Sequence, residues 1–238
     1  MEFFKTYIWG WKLLIIIPLC LLGAAIQYHY LRSDAPRSIE LSGAVTKYES
    51  GFGILDVDQD ALKKLVADEG AITQIVMLSC IHCIGTAQET YEEGKRHGLN
   101  IIKSHPYFND VQRRLSVFFY LTRMDEQGDL MMKLEQRLNE LKMMTASSMS
   151  DDDLYRFYID NSTEPNPLEQ SAFEKVIAGD VPSAALDKAQ NAKALSDLIK
   201  LKATPAFLYG NHITTFGYFN EEGYLFKSLK ALGKAFPS

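Results

Sequence analysis

Ile72-Thr73-Gln74-Ile75-Val76-Met77-Leu78-Ser79-Cys80-Ile81-His82-Cys83 decides how the rest of the chain is read. The run from Ile72 to Leu78 is largely apolar and holds β-branched residues, as a strand buried on both faces does. It reaches Ser79 and then a C-x-x-C pair. A helix-compatible segment over 84–97 follows, with Ile84, Ala87 and Tyr91 at helical spacing. A buried strand that delivers two cysteines to a helix start is a specific arrangement. The free N–H groups and partial positive charge there stabilise a thiolate. Cys80 is therefore placed as a nucleophile, and Cys83, one turn on, is placed to close a disulfide with it.

Composition supports a redox rather than a scaffold role for this pair. The chain has 238 residues, 47% of them hydrophobic, which supports a real core. Its formal charge is −5, and beyond residue 32 the balance falls to −7, so no basic face for nucleic acid is expected. Of the 3 cysteines, Cys20 lies in an N-terminal apolar run, which leaves a single pair and no disulfide framework. Half of a zinc site is the competing reading of C-x-x-C. Zinc needs about four ligands, there is no second cysteine pair, and His29, His97, His105 and His212 are scattered. No metal and no other cofactor is expected.

The run from Leu13 to Ile26 has no charged or strongly polar side chain. Tyr7, Trp9 and Trp11 flank it on one side, Tyr28 and Tyr30 on the other, like the aromatic belts of a membrane interface. Lys12 sits near the end, where it can snorkel. A single transmembrane helix within Tyr7–Tyr30 is expected, with a cleaved signal peptide as the alternative because Gly23-Ala24-Ala25 offers small residues. A lipid-modified Cys20 is disfavoured by bulky Leu19. Lys5 and Lys12 before the span are matched by Arg32 and Arg37 after it. The C-x-x-C chemistry therefore argues for the domain lying outside, in an oxidising compartment.

The chain divides into a tail and anchor (1–32), a linker and lead-in (33–71), and a domain (72–238). Gly43, Gly51 and Gly53 with short apolar alternations make 41–57 a hairpin or an irregular lead-in. Leu62, Leu65 and Val66 put 58–68 in a helix. Leu115-Ser116-Val117-Phe118-Phe119-Tyr120-Leu121 is expected as a second strand, and Ser104-His105-Pro106 has no assignment. From about 125 to 201 the pattern is helical, with a stripe at Leu130, Leu134, Leu138 and Leu141 and an N-cap at Ser150 ahead of Asp151-Asp152-Asp153. A further helix is expected from Asn166-Pro167 to Gly179. Met131-Met132 and Met143-Met144 are read as packing residues rather than a peptide groove. Pro205–Tyr209 and His212–Phe216, joined by Gly210-Asn211, form a hairpin. Asn220 caps a last helix with Phe226, Leu229 and Leu232 inward.

This order, with C-x-x-C at the first strand–helix junction, resembles the thioredoxin fold, and the helical block before the hairpin resembles the insertion of its DsbA-like branch. The fold class expected is α/β: a thioredoxin-like fold with a helical insertion, preceded by a transmembrane helix. Cys80-Ile81-His82-Cys83 is similar to the DsbA-type pair in keeping histidine before the second cysteine. Thr204-Pro205-Ala206 opens the penultimate strand, where the superfamily places a cis-proline loop. The run from Thr204 to Asn211, with Gly217-Tyr218 following, looks more like the DsbC and DsbG isomerases. The resemblance covers about residues 72–238.

The resemblance implies a thiol–disulfide oxidoreductase or isomerase, with Cys80, Cys83 and His82 catalytic and Ile81, Thr204 and Pro205 meeting substrate. It implies cysteine-containing protein substrates, a membrane or soluble redox partner, and a single-pass protein of the bacterial inner membrane with its domain in the periplasm. His82 is expected to stabilise the Cys80 thiolate. One departure is Gln74, which stands where DsbA-type enzymes carry a buried acid six residues before the nucleophile. The alternative to an enzyme is a non-catalytic assembly or chaperone subunit of an envelope complex, though a pure scaffold has no need of two paired thiols.

Overall fold

The structure, a computed structural model, describes residues 41–49, 51–66, 68, 70–215 and 222–235. The expected membrane segment, Gly217-Tyr218 and the Asn220 cap lie outside these residues. Among the described residues no helix is long and apolar enough to cross a membrane.

Six strands form one sheet: β1 (Val45–Glu49), β2 (Phe52–Leu55), β3 (Ile72–Ile75), β4 (Ile101–Ser104), β5 (Ala206–Tyr209) and β6 (His212–Thr214). Their order is β1-β2-β6-β5-β3-β4. β3 and β4 are parallel; all other neighbours are antiparallel. Every residue of β3 and β5 is buried, which explains the near-continuous apolar runs that mark them. β5 and β6 turn at Gly210, whose φ of +53° favours glycine, and pair Tyr209 with His212. The lead-in is a true hairpin. β2 pairs with β6, so the folded unit reaches back at least to Leu41 rather than starting at 72.

Helices α1 (Gln59–Leu65), α2 (Ile81–Gly85) and α3 (Ala87–His97) precede the insertion. The expected continuous helix after Cys83 is interrupted at Thr86, whose hydroxyl donates to the His82 carbonyl at 2.7 Å and bends the chain there. The insertion holds α4 (Asp110–Leu121), α5 (Asp129–Glu140), α6 (Asp151–Asn161), α7 (Gln170–Ala178) and α8 (Ala184–Leu198), and α9 (Glu222–Ala235) follows the hairpin. Residues 115–121 are thus the second half of α4 and not a strand, and the helical block starts near 110, not 125. The cause is burial all round: Leu115, Ser116, Val117, Phe118, Phe119 and Tyr120 are all buried in the insertion core. A helix with no polar face shows no helical period and looks like a core strand. Asn109 caps it, accepting from the Gln112 N–H at 2.9 Å.

The Ser150 capping box is present and Gly179 ends α7 at φ +77°. That helix starts at Gln170 rather than at Asn166-Pro167. Leu168 is held short of it, its N–H donating to the Tyr158 hydroxyl at 3.0 Å and its carbonyl accepting from the Tyr155 hydroxyl at 3.2 Å. Leu130, Leu134 and Leu138 are buried and Leu141 packs at the margin. Met131 is buried, while Met144 is 71% exposed.

Candidate active site

β3 ends at Ile75, and Val76, Met77 and Leu78 continue as a buried, non-ladder segment to the cysteines. The Cys80 N–H donates to the Met77 carbonyl at 2.9 Å, closing a turn that sets Cys80 at the start of α2. Cys80 is the N-cap: its Sγ accepts from the Cys83 N–H at 3.3 Å. As a thiol it donates to the Thr204 carbonyl at 3.5 Å. Both cysteines are free; Cys80 is half-buried and Cys83 fully buried.

These contacts split the acidities of the pair. The Cys80 pKa is pulled down to about 5, chiefly by the Cys83 thiol donating to it, with help from Thr204 and from the Cys83 and His82 N–H groups against partial burial. Cys83 is pushed far up by burial, and further by its neighbour Cys80. Because α2 is a single short turn, N–H groups within reach of Sγ matter here rather than a long helix dipole. Cys83 belongs to the same core as α4–α8, together with Val76, Leu78, Ile84 and Ala87. The insertion therefore seats Cys83.

Of the other expected site residues, Thr204 lies within reach of Sγ and the Thr204–Pro205 bond is cis. Ile81 is 45% exposed beside Cys80. The backbone N–H of His82 points to Cys80, but its ring is exposed and has no hydrogen-bond partner among the described residues. Gln74 is buried; its amide donates to the Thr90 hydroxyl at 3.3 Å and its Oε1 has no partner among the described residues. Its register neighbour on β4 is Lys103, whose amine burial drives down to about 8, against Asp125 and Asp129.

One site residue escaped the sequence reading. His105 is fully buried, and its Nε2 accepts the Leu78 N–H at 2.7 Å, two residues ahead of Cys80. A histidine before proline in a segment of no clear period gave no pattern to read. Among the described residues no group of three or more His, Cys, Asp and Glu is placed to hold a metal.

No sequence-family model and no curated protein sequence matches the chain. Solved structures do. The DsbA disulfide interchange protein of Klebsiella pneumoniae aligns at TM-score 0.55 and 10% identity, over 80% of this chain and 100% of that one. SrgA of Salmonella enterica serovar Typhimurium aligns at 0.52 and 16%, over 71% and 93%. DsbA of Pseudomonas aeruginosa aligns at 0.51 and 14%, over 71% and 88%. Taken with the sheet order and the helical block between β4 and β5, these matches make the fold that of a DsbA-like thioredoxin domain.

Proposed function

We propose that the chain is an exported, membrane-tethered thiol–disulfide oxidoreductase that works as an oxidase of protein cysteines. The observation that carries this reading is the geometry of one cysteine pair: half-buried Cys80 is the N-cap of α2 with its Sγ accepting the Cys83 N–H at 3.3 Å, while Cys83 is buried, an arrangement that lowers the Cys80 pKa and raises that of Cys83. In the oxidised protein a substrate thiolate attacks Sγ of Cys80. The Cys80–Cys83 bond breaks, Cys83 takes the electron pair and a proton, and a substrate–Cys80 mixed disulfide forms. A second substrate thiolate then attacks the substrate sulfur, and Cys80 leaves as its stabilised thiolate. The substrate loses two electrons, and the pair gains them. A leaving thiol of low pKa departs fast, which favours oxidation over reduction.

Exposed Ile81 adjoins the nucleophile. An exposed apolar side chain beside the cysteine suits unfolded protein better than a small polar thiol. Ile81, Thr204 and Pro205 are proposed to meet the substrate, with His82 beside them acting on the Cys80 thiolate. The aromatic-flanked run within Tyr7–Tyr30 supports an anchor that leaves the domain on the periplasmic side, served there by a redox partner.

The test is a glutathione titration of the full chain in detergent micelles, with the Cys80–Cys83 state read by alkylation and mass. A potential toward about −120 mV, away from about −270 mV, supports the oxidase. A value at the reducing end makes the protein a reductase. Failure to form an intramolecular disulfide ends the dithiol mechanism.

A further inference from the structure

Both backbone groups of Leu78 are held from outside the strand. Its N–H donates to Nε2 of His105 at 2.7 Å, and its carbonyl accepts from the Ala146 N–H at 3.0 Å. His105 Nδ1 is 3.0 Å from the Pro106 carbonyl, which can only accept. Nδ1 must therefore carry the proton and Nε2 the lone pair, so one neutral tautomer satisfies both contacts. Burial supports that state, holding the imidazole pKa down to about 4.

The residue is itself fixed by α4. Its N–H donates to the Tyr120 hydroxyl at 2.9 Å, its carbonyl accepts from the Ser116 hydroxyl, and its ring tilts against Phe119 at 5.2 Å between centroids. Leu78 lies inside the turn that the Cys80 N–H closes on Met77. Rotation of the Leu78 peptide would swing Cys80 Sγ away from the Cys83 N–H, 3.3 Å off.

We propose that His105 is a positioning residue for the nucleophile: as a neutral acceptor it fixes Leu78, and through the Met77–Cys80 turn it aims Cys80 Sγ at the N–H groups of α2. This deepens the oxidoreductase reading and rests on it, but it acts on the reduced protein before any substrate arrives. A histidine that merely filled the core would change stability and leave Cys80 chemistry alone.

The test compares His105→Phe, which keeps a planar ring without nitrogens, with His105→Gln, which keeps an acceptor near the Nε2 position. Cys80 is titrated in the reduced full chain by ultraviolet thiolate absorbance. His105→Phe is expected to raise the Cys80 pKa by about one unit, a roughly tenfold loss of thiolate at acid pH, and His105→Gln to restore most of it. Cys80 titrating as in the parent in a folded His105→Phe protein overturns the proposal. If His105→Phe does not fold, nitrogen NMR of the parent protein decides. A bare Nε2 coupled to the Leu78 amide supports the role, and a proton on Nε2 overturns it. Because no substrate is present, a failed glutathione couple would sink the oxidase reading without touching this result.

Discussion

Cys80 owes its acidity to donors that surround one sulfur, and that has a direct kinetic consequence. Only the thiolate alkylates, so iodoacetamide should react with Cys80 at a rate that is half-maximal near pH 5 and flat above neutrality. An ordinary thiol would still be gaining rate at about pH 8.5. A half-point near the ordinary value would mean that the Cys83 thiol, Thr204 and the α2 N–H groups do not hold the sulfur as a thiolate. His105 makes the opposite kind of prediction. Its folded pKa is pushed down to about 4, so between the unfolded value of about 6.5 and that point the unfolded chain binds a proton that the folded chain refuses. The contribution is whole above about pH 6.5 and is withdrawn as the pH falls to about 4, by about 3 kcal/mol. Urea unfolding at stepped pH should show this slope in the parent and lose it in His105→Gln.

Helix ends show what the sequence could and could not convey. Gly179 marks the end of α7 plainly, and Ser150 with Asp153 marks the start of α6. Three other helices stop on residues that carry no stop signal: Arg123, Lys142 and Lys200 sit at φ +60°, +56° and +49° after α4, α5 and α8. Each is closed by a six-residue bond, as where the Met143 N–H reaches the Leu138 carbonyl at 2.8 Å. Tertiary packing on the apolar residue that follows, not local preference, chooses these ends. Lys142 is exposed, so Lys142→Gly should remove left-handed strain at little other cost and stabilise by about 0.5–1 kcal/mol, raising the midpoint by about 1–3 °C in a thermal scan. No gain, or a loss, would show that Lys142 holds its turn without strain. The misreading of residues 115–121 has a related cause. An element buried on all sides loses the polar face that would reveal its period, and the Asn109 cap that starts this one stands well upstream of the buried run.

At the scale of the whole molecule the sheet was legible where it is most buried and least so at its margin. β3, β5 and the Gly210 turn could be read from residues, because burial on both faces writes a continuous apolar run. β1 holds only exposed and half-buried residues, and the glycines and short apolar alternations around it left its hairpin with β2 as one of two readings that only the pairing decides. The same gradient should govern opening. Amides of β3 and β5 should exchange slowest among the strands and those of β1 fastest, as read by native-state hydrogen exchange; protection of β1 equal to that of β3 would mean the sheet opens as one unit.

The stitching of Leu41–Gly43 to Lys200–Lys202 ties the first described residues to the segment that leads to the cysteine site. The Lys202 N–H donates to the Leu41 carbonyl at 2.8 Å and the Gly43 N–H to the Lys200 carbonyl at 2.9 Å, close in sequence to the Thr204 that faces Cys80. The folded unit is thus fastened from Leu41 onward. Tension on the chain ahead of Leu41 would therefore reach the segment that leads to Thr204 before it reached the rest of the sheet.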